Sequence, residues 1–148
     1  MNTKWKCVAS VLAVLAVAAG CGTDSGDAVD GYPTSPNTVT GFEREWKVVA
    51  DHQTIKAGDV TFTFLNKGTI GHELLVIRTD LPVGKIPIEA NGRFNEEGAN
   101  AVNVGETGDL AVGNTISFKV KMAPGRYQLV CNLADHYKNG MYIKFTVD

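Results

Sequence analysis

The sequence predicts an all-β fold, a β-sandwich of about seven to eight strands joined by Greek-key connections. Three observations predict it. Short segments alternate apolar and polar residues with period two. Clusters of Gly, Pro, Asn and Asp separate these segments at regular spacing. No stretch sustains the 3.6-residue period of a helix ten residues long.

The alternation begins at about Thr38, and Glu45-Trp46-Lys47-Val48-Val49-Ala50 reads as a strand with Trp46 in the core. Gln53 to Lys56 is a second short strand, ended by the turn signal Ala57-Gly58-Asp59. Val60, Phe62 and Phe64 then face one way, with Thr61 and Thr63 opposite, until the Asn66-Lys67-Gly68 turn. His72 begins the next strand, and Glu73-Leu-Leu-Val-Ile-Arg78 is apolar on both faces, as a central strand is. Leu81 to Asn114 is broken by Pro82, Pro87 and several glycines. A short helical turn at Phe94–Ala101 and an edge strand at Val102–Glu106 are expected there. A loop this long has a purpose or a hidden element. Ile116, Phe118, Val120 and Met122 share the core face of the next strand, and Ala123-Pro124-Gly125 turns into Tyr127-Gln-Leu-Val-Cys131. Met141, Ile143, Phe145 and Val147 form the inward face of the last strand.

Composition bounds the function. The chain has 148 residues, 44% hydrophobic and 20% charged, with a formal net charge of −2. That is one ordinary globular domain. No basic cluster occurs, which argues against a nucleic-acid partner. The first residues do not belong to the fold. Lys4 and Lys6 precede the 13 apolar and small residues Cys7–Ala19. This run is shorter than the ~20 residues of a membrane span and has the form of a signal peptide. It ends in Val17-Ala18-Ala19-Gly20-Cys21, which resembles a bacterial lipobox, with Ala18 where Leu is commoner. The resemblance implies cleavage before Cys21 and lipidation of that residue. Residues 1–21 are therefore expected to be a lipoprotein signal ending at the anchored Cys. Residues 22–39 should be a flexible tether too poor in apolar side chains to fold, and 40–148 the domain. A tether of this length reaches about 20–25 Å as a coil.

The cysteine count then becomes informative. Of three cysteines, Cys7 leaves with the signal and Cys21 is committed to lipid, so Cys131 has no partner for a disulfide within the domain. Cys131, His136 and Met141 stand five residues apart in Cys131-Asn-Leu-Ala-Asp-His136-Tyr-Lys-Asn-Gly-Met141. Thiolate, imidazole and thioether are donors for soft or borderline transition metals. Cys131, Met141 and His72 fall in phase with the inward faces of their strands, so the pattern places them at strand ends around one pole. Two imidazoles, a thiolate and a thioether are the donor set of a blue copper electron-transfer centre.

These residues resemble the cupredoxin family over about residues 40–148, and Cys131-Asn-Leu-Ala-Asp-His136-Tyr-Lys-Asn-Gly-Met141 is especially similar to the sulfocyanin-like bacterial members. The resemblance implies a cupredoxin-like sandwich holding one type 1 copper. It implies His72, Cys131 and His136 as equatorial ligands, Met141 as the axial one, and the Gly71 carbonyl as a distant contact. It also implies that an exposed edge of His136 is the electron exit, with Leu133 and Ala134 as candidates for a docking patch. One position departs from the family pattern: Glu73 follows the first ligand His, where Asn or Asp commonly ties the two ligand loops together.

Other candidates read as structural. His52, beside Asp51, belongs to a surface turn, Met122 to the core, and Asp135 and Lys138 to solvated loop positions. The expected function is a monomeric one-electron carrier, not an enzyme, lipid-anchored at the outer face of the bacterial cytoplasmic membrane. Its partners would be redox proteins of the respiratory chain or a copper oxidase or reductase. Copper delivery is the alternative, disfavoured by a total of only three Met and three His. A thiol enzyme using Cys131 as nucleophile is a third reading, and it lacks an evident oxyanion donor.

Overall fold

Alternation along each strand sets which side chains meet, and the structure, a computed structural model, describes residues 37–148. The signal segment, Cys21 and the tether up to residue 36 lie outside the described residues. The strands are β1 (Thr38–Arg44), β2 (Lys47–Ala50), β3 (Thr54–Ile55), β4 (Gly58–Asn66), β5 (Leu75–Arg78), β6 (Glu97–Gly98), β7 (Ala101–Glu106), β8 (Thr115–Met122), β9 (Gly125–Val130) and β10 (Tyr142–Val147). Among the described residues there is no helix. One sheet has the order β2-β1-β4-β8, the other β3-β10-β9-β5-β7-β6. The chain crosses between the sheets repeatedly, and the only parallel pairs among these strands are β1 with β4 and β10 with β3. The sequence-based count of seven to eight strands is exceeded because Thr38–Arg44 forms a strand of its own ahead of the turn and the two-residue β6 is added, whereas β3 falls within the short strand expected at Gln53 to Lys56.

Phe62, Phe64, Leu74, Val76, Leu129, Cys131, Met141 and Phe145 meet between the sheets in one buried cluster. Full burial of each large apolar side chain contributes about 1.5–3 kcal/mol. Gly41 on β1 makes room for this packing: a Cβ there would lie 2.5 Å from the Phe64 ring. β1 starts at Thr38, with Val39 already in the core, so the domain begins within the last residues assigned to the tether.

The double-sided apolarity of β5 has a direct cause. Leu74 and Val76 face the inter-sheet core, whereas Leu75 and Ile77 pack with Ile86, Phe94, Ala101, Val130 and Tyr137 in a second cluster. The segment 81–100 thus covers the outer face of the six-stranded sheet, and the burial of Ile86 and Phe94 is what holds it there. The helical turn expected at Phe94–Ala101 does not form: Glu97–Gly98 pairs with Ala101–Val102 instead. β7 is also not an edge, because it lies between β5 and β6.

The strand expected from Glu45 to Ala50 starts two residues later. Arg44 pairs with Lys47, and Glu45-Trp46 is the hairpin turn. Trp46 takes a left-handed φ of 62° and is 49% exposed, so its expected place in the core is corrected. Period-two counting fails here because Trp46 is in phase with Val48 and Ala50, which face the core, although the turn ends the strand at Lys47.

Candidate metal centre

Four chain segments converge at one end of the sandwich. Cys131 follows β9 directly, Met141 precedes β10, His136 lies in the loop between them, and His72 sits on the β4–β5 connection. His72 is fixed by paired backbone hydrogen bonds with Leu110, one in each direction at 3.1 and 2.8 Å. The Cys131 N–H donates to the Met141 carbonyl at 3.0 Å, closing the base of the ligand loop. Met141 N–H donates to the His136 carbonyl at 3.2 Å.

The structure brings His72, Cys131 and His136 together. Their donor atoms all lie within 4.8 Å of one another, and all three residues are buried. His136 Nδ1 is 3.3 Å from His72 Nδ1 and 3.2 Å from Cys131 Sγ. Met141 is fully buried in the same cluster as Cys131. Gly71 is on the exposed run just before His72. His52 is a surface residue 3.0 Å from Asp51, Asp135 and Lys138 form an exposed pair at 3.9 Å, and Met122 is in the core.

The electrostatics suit a cation. Burial pushes the Cys131 thiol up to about 12, and the nearby Glu43 carboxyl adds to the rise. The backbone amides of Leu133 and Glu73 oppose it. A thiol in such a setting is a poor nucleophile, and a bound metal is what converts it to thiolate. Burial lowers the pKa of both His72 and His136, which keeps each imidazole neutral with a lone pair to donate. Two neutral imidazoles and one buried thiol that needs a positive charge therefore fit a copper ion better than any reaction of the free side chains.

Three supports were not legible in the sequence. The first is the segment 81–100, which clasps the ligand loop. Asn132, buried beside Cys131, accepts from Phe94 N–H at 2.9 Å and donates to Phe94 C=O at 3.0 Å and to Glu96 at 2.8 Å. Asp135 N–H donates to the Gly92 carbonyl at 2.9 Å, and a side chain at Gly92 would collide with Asp135. Tyr137 Oη accepts from Ile86 N–H at 3.2 Å. The second support is Trp46, whose ring meets that of His136 edge-on, with centroids 5.4 Å apart. His136 is only 8% exposed as a result, so the expected open edge is largely covered. Leu133 packs on the core and Ala134 is exposed. The third is Glu45, whose Oε1 accepts from Thr69 N–H at 2.6 Å, Ile70 N–H at 3.0 Å and Thr69 Oγ1 at 3.1 Å. Those bonds, led by the Thr69 amide, hold its carboxyl down at about 2.

Glu73 turns out to face inward. Burial raises its pKa to about 6, countered by Arg93, whose guanidinium is 3.8 Å away, and by the Asn132 backbone amide. The carboxyl thus reaches from the His72 segment toward the residue after Cys131, where the family pattern places a shorter side chain.

A two-sheet sandwich carrying a buried His-Cys-His cluster at one pole is a cupredoxin, the class of blue copper electron-transfer proteins, whose cofactor is one type 1 copper ion. Residues 53–148 match the family described as the sulfocyanin (SoxE) domain, and the chain belongs to that family. Among solved structures it is similar to the reduced auracyanin of the photosynthetic bacterium Roseiflexus castenholzii, at 22% identity and TM-score 0.56, covering 76% of this chain and 97% of that one. Auracyanin A of Chloroflexus aurantiacus, described as a "blue" copper protein, aligns at 18% identity and TM-score 0.53 over 75% of this chain and 98% of that one. Rusticyanin from Thiobacillus ferrooxidans aligns at 20% identity and TM-score 0.50 over 82% and 86%. At these identities the likeness is one of fold. No curated protein sequence matches the chain.

Proposed function

We propose that this protein is a one-electron carrier in which His72, Cys131 and His136 would hold a single copper ion, with Met141 as a further, weak donor. The observation that carries the reading is the buried cluster of His72 Nδ1, Cys131 Sγ and His136 Nδ1 at one pole of a rigid sandwich. When bound, copper supplies the one-electron couple. The chain's own residues do the rest. Cys131 provides the thiolate, the Leu133 and Glu73 amides favour its negative charge, and the β-sandwich limits how far the donors can move between oxidation states. Trp46 and the surrounding loops keep bulk water from the His136 ring.

The lipobox-like ending at Cys21 supports tethering to the outer face of the bacterial cytoplasmic membrane. Partners in that reading are redox proteins of the respiratory chain or a copper oxidase or reductase, met by a monomer at the end of its tether. A reversible one-electron wave from the copper-loaded protein, with slow loss of copper to a weak chelator, is the expected result. Rapid copper transfer to that chelator would instead favour a delivery role. Mass spectrometry of the membrane-extracted protein should find a diacylglyceryl group on Cys21, and an unmodified chain in the soluble fraction would refute the anchor.

A further inference from the structure

His72 has one ring nitrogen that the metal cluster leaves unused. Nδ1 faces His136 Nδ1, so it is Nδ1 that joins the cluster. Nε2 points the other way and is buried with no hydrogen-bond partner within the protein. A buried ring N–H left without an acceptor costs about 1–3 kcal/mol. Across from it stands Glu45. A Cβ placed on Gly68 would lie 2.8 Å from both His72 Nε2 and Glu45 Oε1, and 3.0 Å from Glu45 Oε2. The imidazole nitrogen and the carboxylate therefore front the same small space over Gly68, and any side chain at position 68 would fill it. Oε1 is occupied by Thr69 and Ile70, which leaves Oε2 turned to that space.

We propose that Glu45 is the carboxylate partner of His72, acting on the copper site as a positioning and potential-setting residue from the β1–β2 turn. The inference rests on the copper-carrier reading. Its physical basis is the carboxylate–histidine–metal arrangement, in which a carboxylate fixes the tautomer and orientation of a ligand imidazole and raises its basicity. The proton stays on Nε2, Nδ1 keeps its lone pair for the metal, and the negative charge favours Cu(II) over Cu(I). The same carboxylate pins Thr69 and Ile70, so the loop that delivers His72 and the charge that tunes it are held by one side chain.

Two substitutions in the full-length protein separate charge from tether. Glu45→Gln keeps an oxygen acceptor for the Thr69 and Ile70 amides and removes the charge. Its copper form should keep its colour and favour reduction about tenfold more than the wild type, about 59 mV for one electron. Glu45→Ala removes both functions. It should raise the potential as well, and in the metal-free protein it should speed hydrogen exchange of the Thr69 and Ile70 amides, which Glu45→Gln leaves slow. A coloured Glu45→Gln protein with the wild-type potential overturns the proposal, as does unchanged amide exchange in Glu45→Ala. If the wild type itself stays colourless with copper, the carrier reading fails, and the exchange measurement still decides whether Glu45 holds the loop.

Discussion

Asn132 connects the covering segment to the ligand loop, and its removal gives a measurable loss. The side chain makes three hydrogen bonds, two of them to the backbone N–H and C=O of the buried Phe94. Asn132→Ala strands both Phe94 groups away from water, at about 1–3 kcal/mol each. A central expectation is therefore about 4 kcal/mol of lost stability. For a domain of this size about 4 °C of Tm follows each kcal/mol, so the metal-free protein should melt about 16 °C lower. Urea unfolding followed by tryptophan fluorescence gives the free energy directly, and the slope should stay unchanged if only the native state is affected. Because Asn132 adjoins Cys131, the copper form should also lose its metal faster to a chelator. A loss below about 1 kcal/mol with wild-type copper retention would refute the view that this side chain fastens the segment to the site.

The other expectations concern the core and its titrating groups. Gly41→Ala would press a methyl group into the Phe64 ring and the Val49 carbonyl, and should cost about 1–3 kcal/mol in urea unfolding. Glu43 is fully buried with neither carboxyl oxygen hydrogen-bonded, and burial, then the Glu73 charge, raises its pKa well above 4.5. The folded state thus holds a proton that the unfolded state releases above that value, so stability is full below pH 4.5 and falls as pH rises toward the folded pKa. Glu73, raised to about 6, adds a loss of the same sign between those two values. Glu43→Gln should therefore stabilise the metal-free protein at pH 7, have its least effect at pH 4.5, and flatten the pH dependence seen in thermal melts. Met141→Leu should cost less than about 1.5 kcal/mol as a near volume-conserving change in the core, keep the copper colour, and raise the reduction potential by removing a weak donor.

The buried cluster of His72, Cys131 and His136 was legible because chemistry and periodicity point to the same residues. Cys131 and Met141 carry soft sulfur donors and continue the inward phase of the strands they adjoin, β9 and β10. β4 and β8 were equally plain, since each alternates without interruption over eight or nine residues. The segment 81–100 was not, because its order comes from contacts distant in sequence: Phe94 is placed by Asn132, Ile86 by Tyr137 and Gly92 by Asp135. No local pattern encodes such pairs. Trp46 misled for a different reason. Its apolarity fits a core position, yet the Glu45-Trp46 turn puts the ring against His136 at the surface. The one signal available was Glu45-Trp46 flanked by two alternating stretches, which is as compatible with a hairpin as with a continuous strand. Glu45 itself gives no sign in sequence, since its partners Thr69 and Ile70 lie on another connection.

The central claim is that Cys131, with His72 and His136, makes a type 1 copper site, and optical titration with Cu(II) tests it most directly. The protein should develop an intense blue or green thiolate-to-copper absorption that saturates at one equivalent, and Cys131→Ser should take up copper without that colour. A wild-type protein that stays colourless at stoichiometric copper, or a Cys131→Ser variant as coloured as the wild type, would contradict the account.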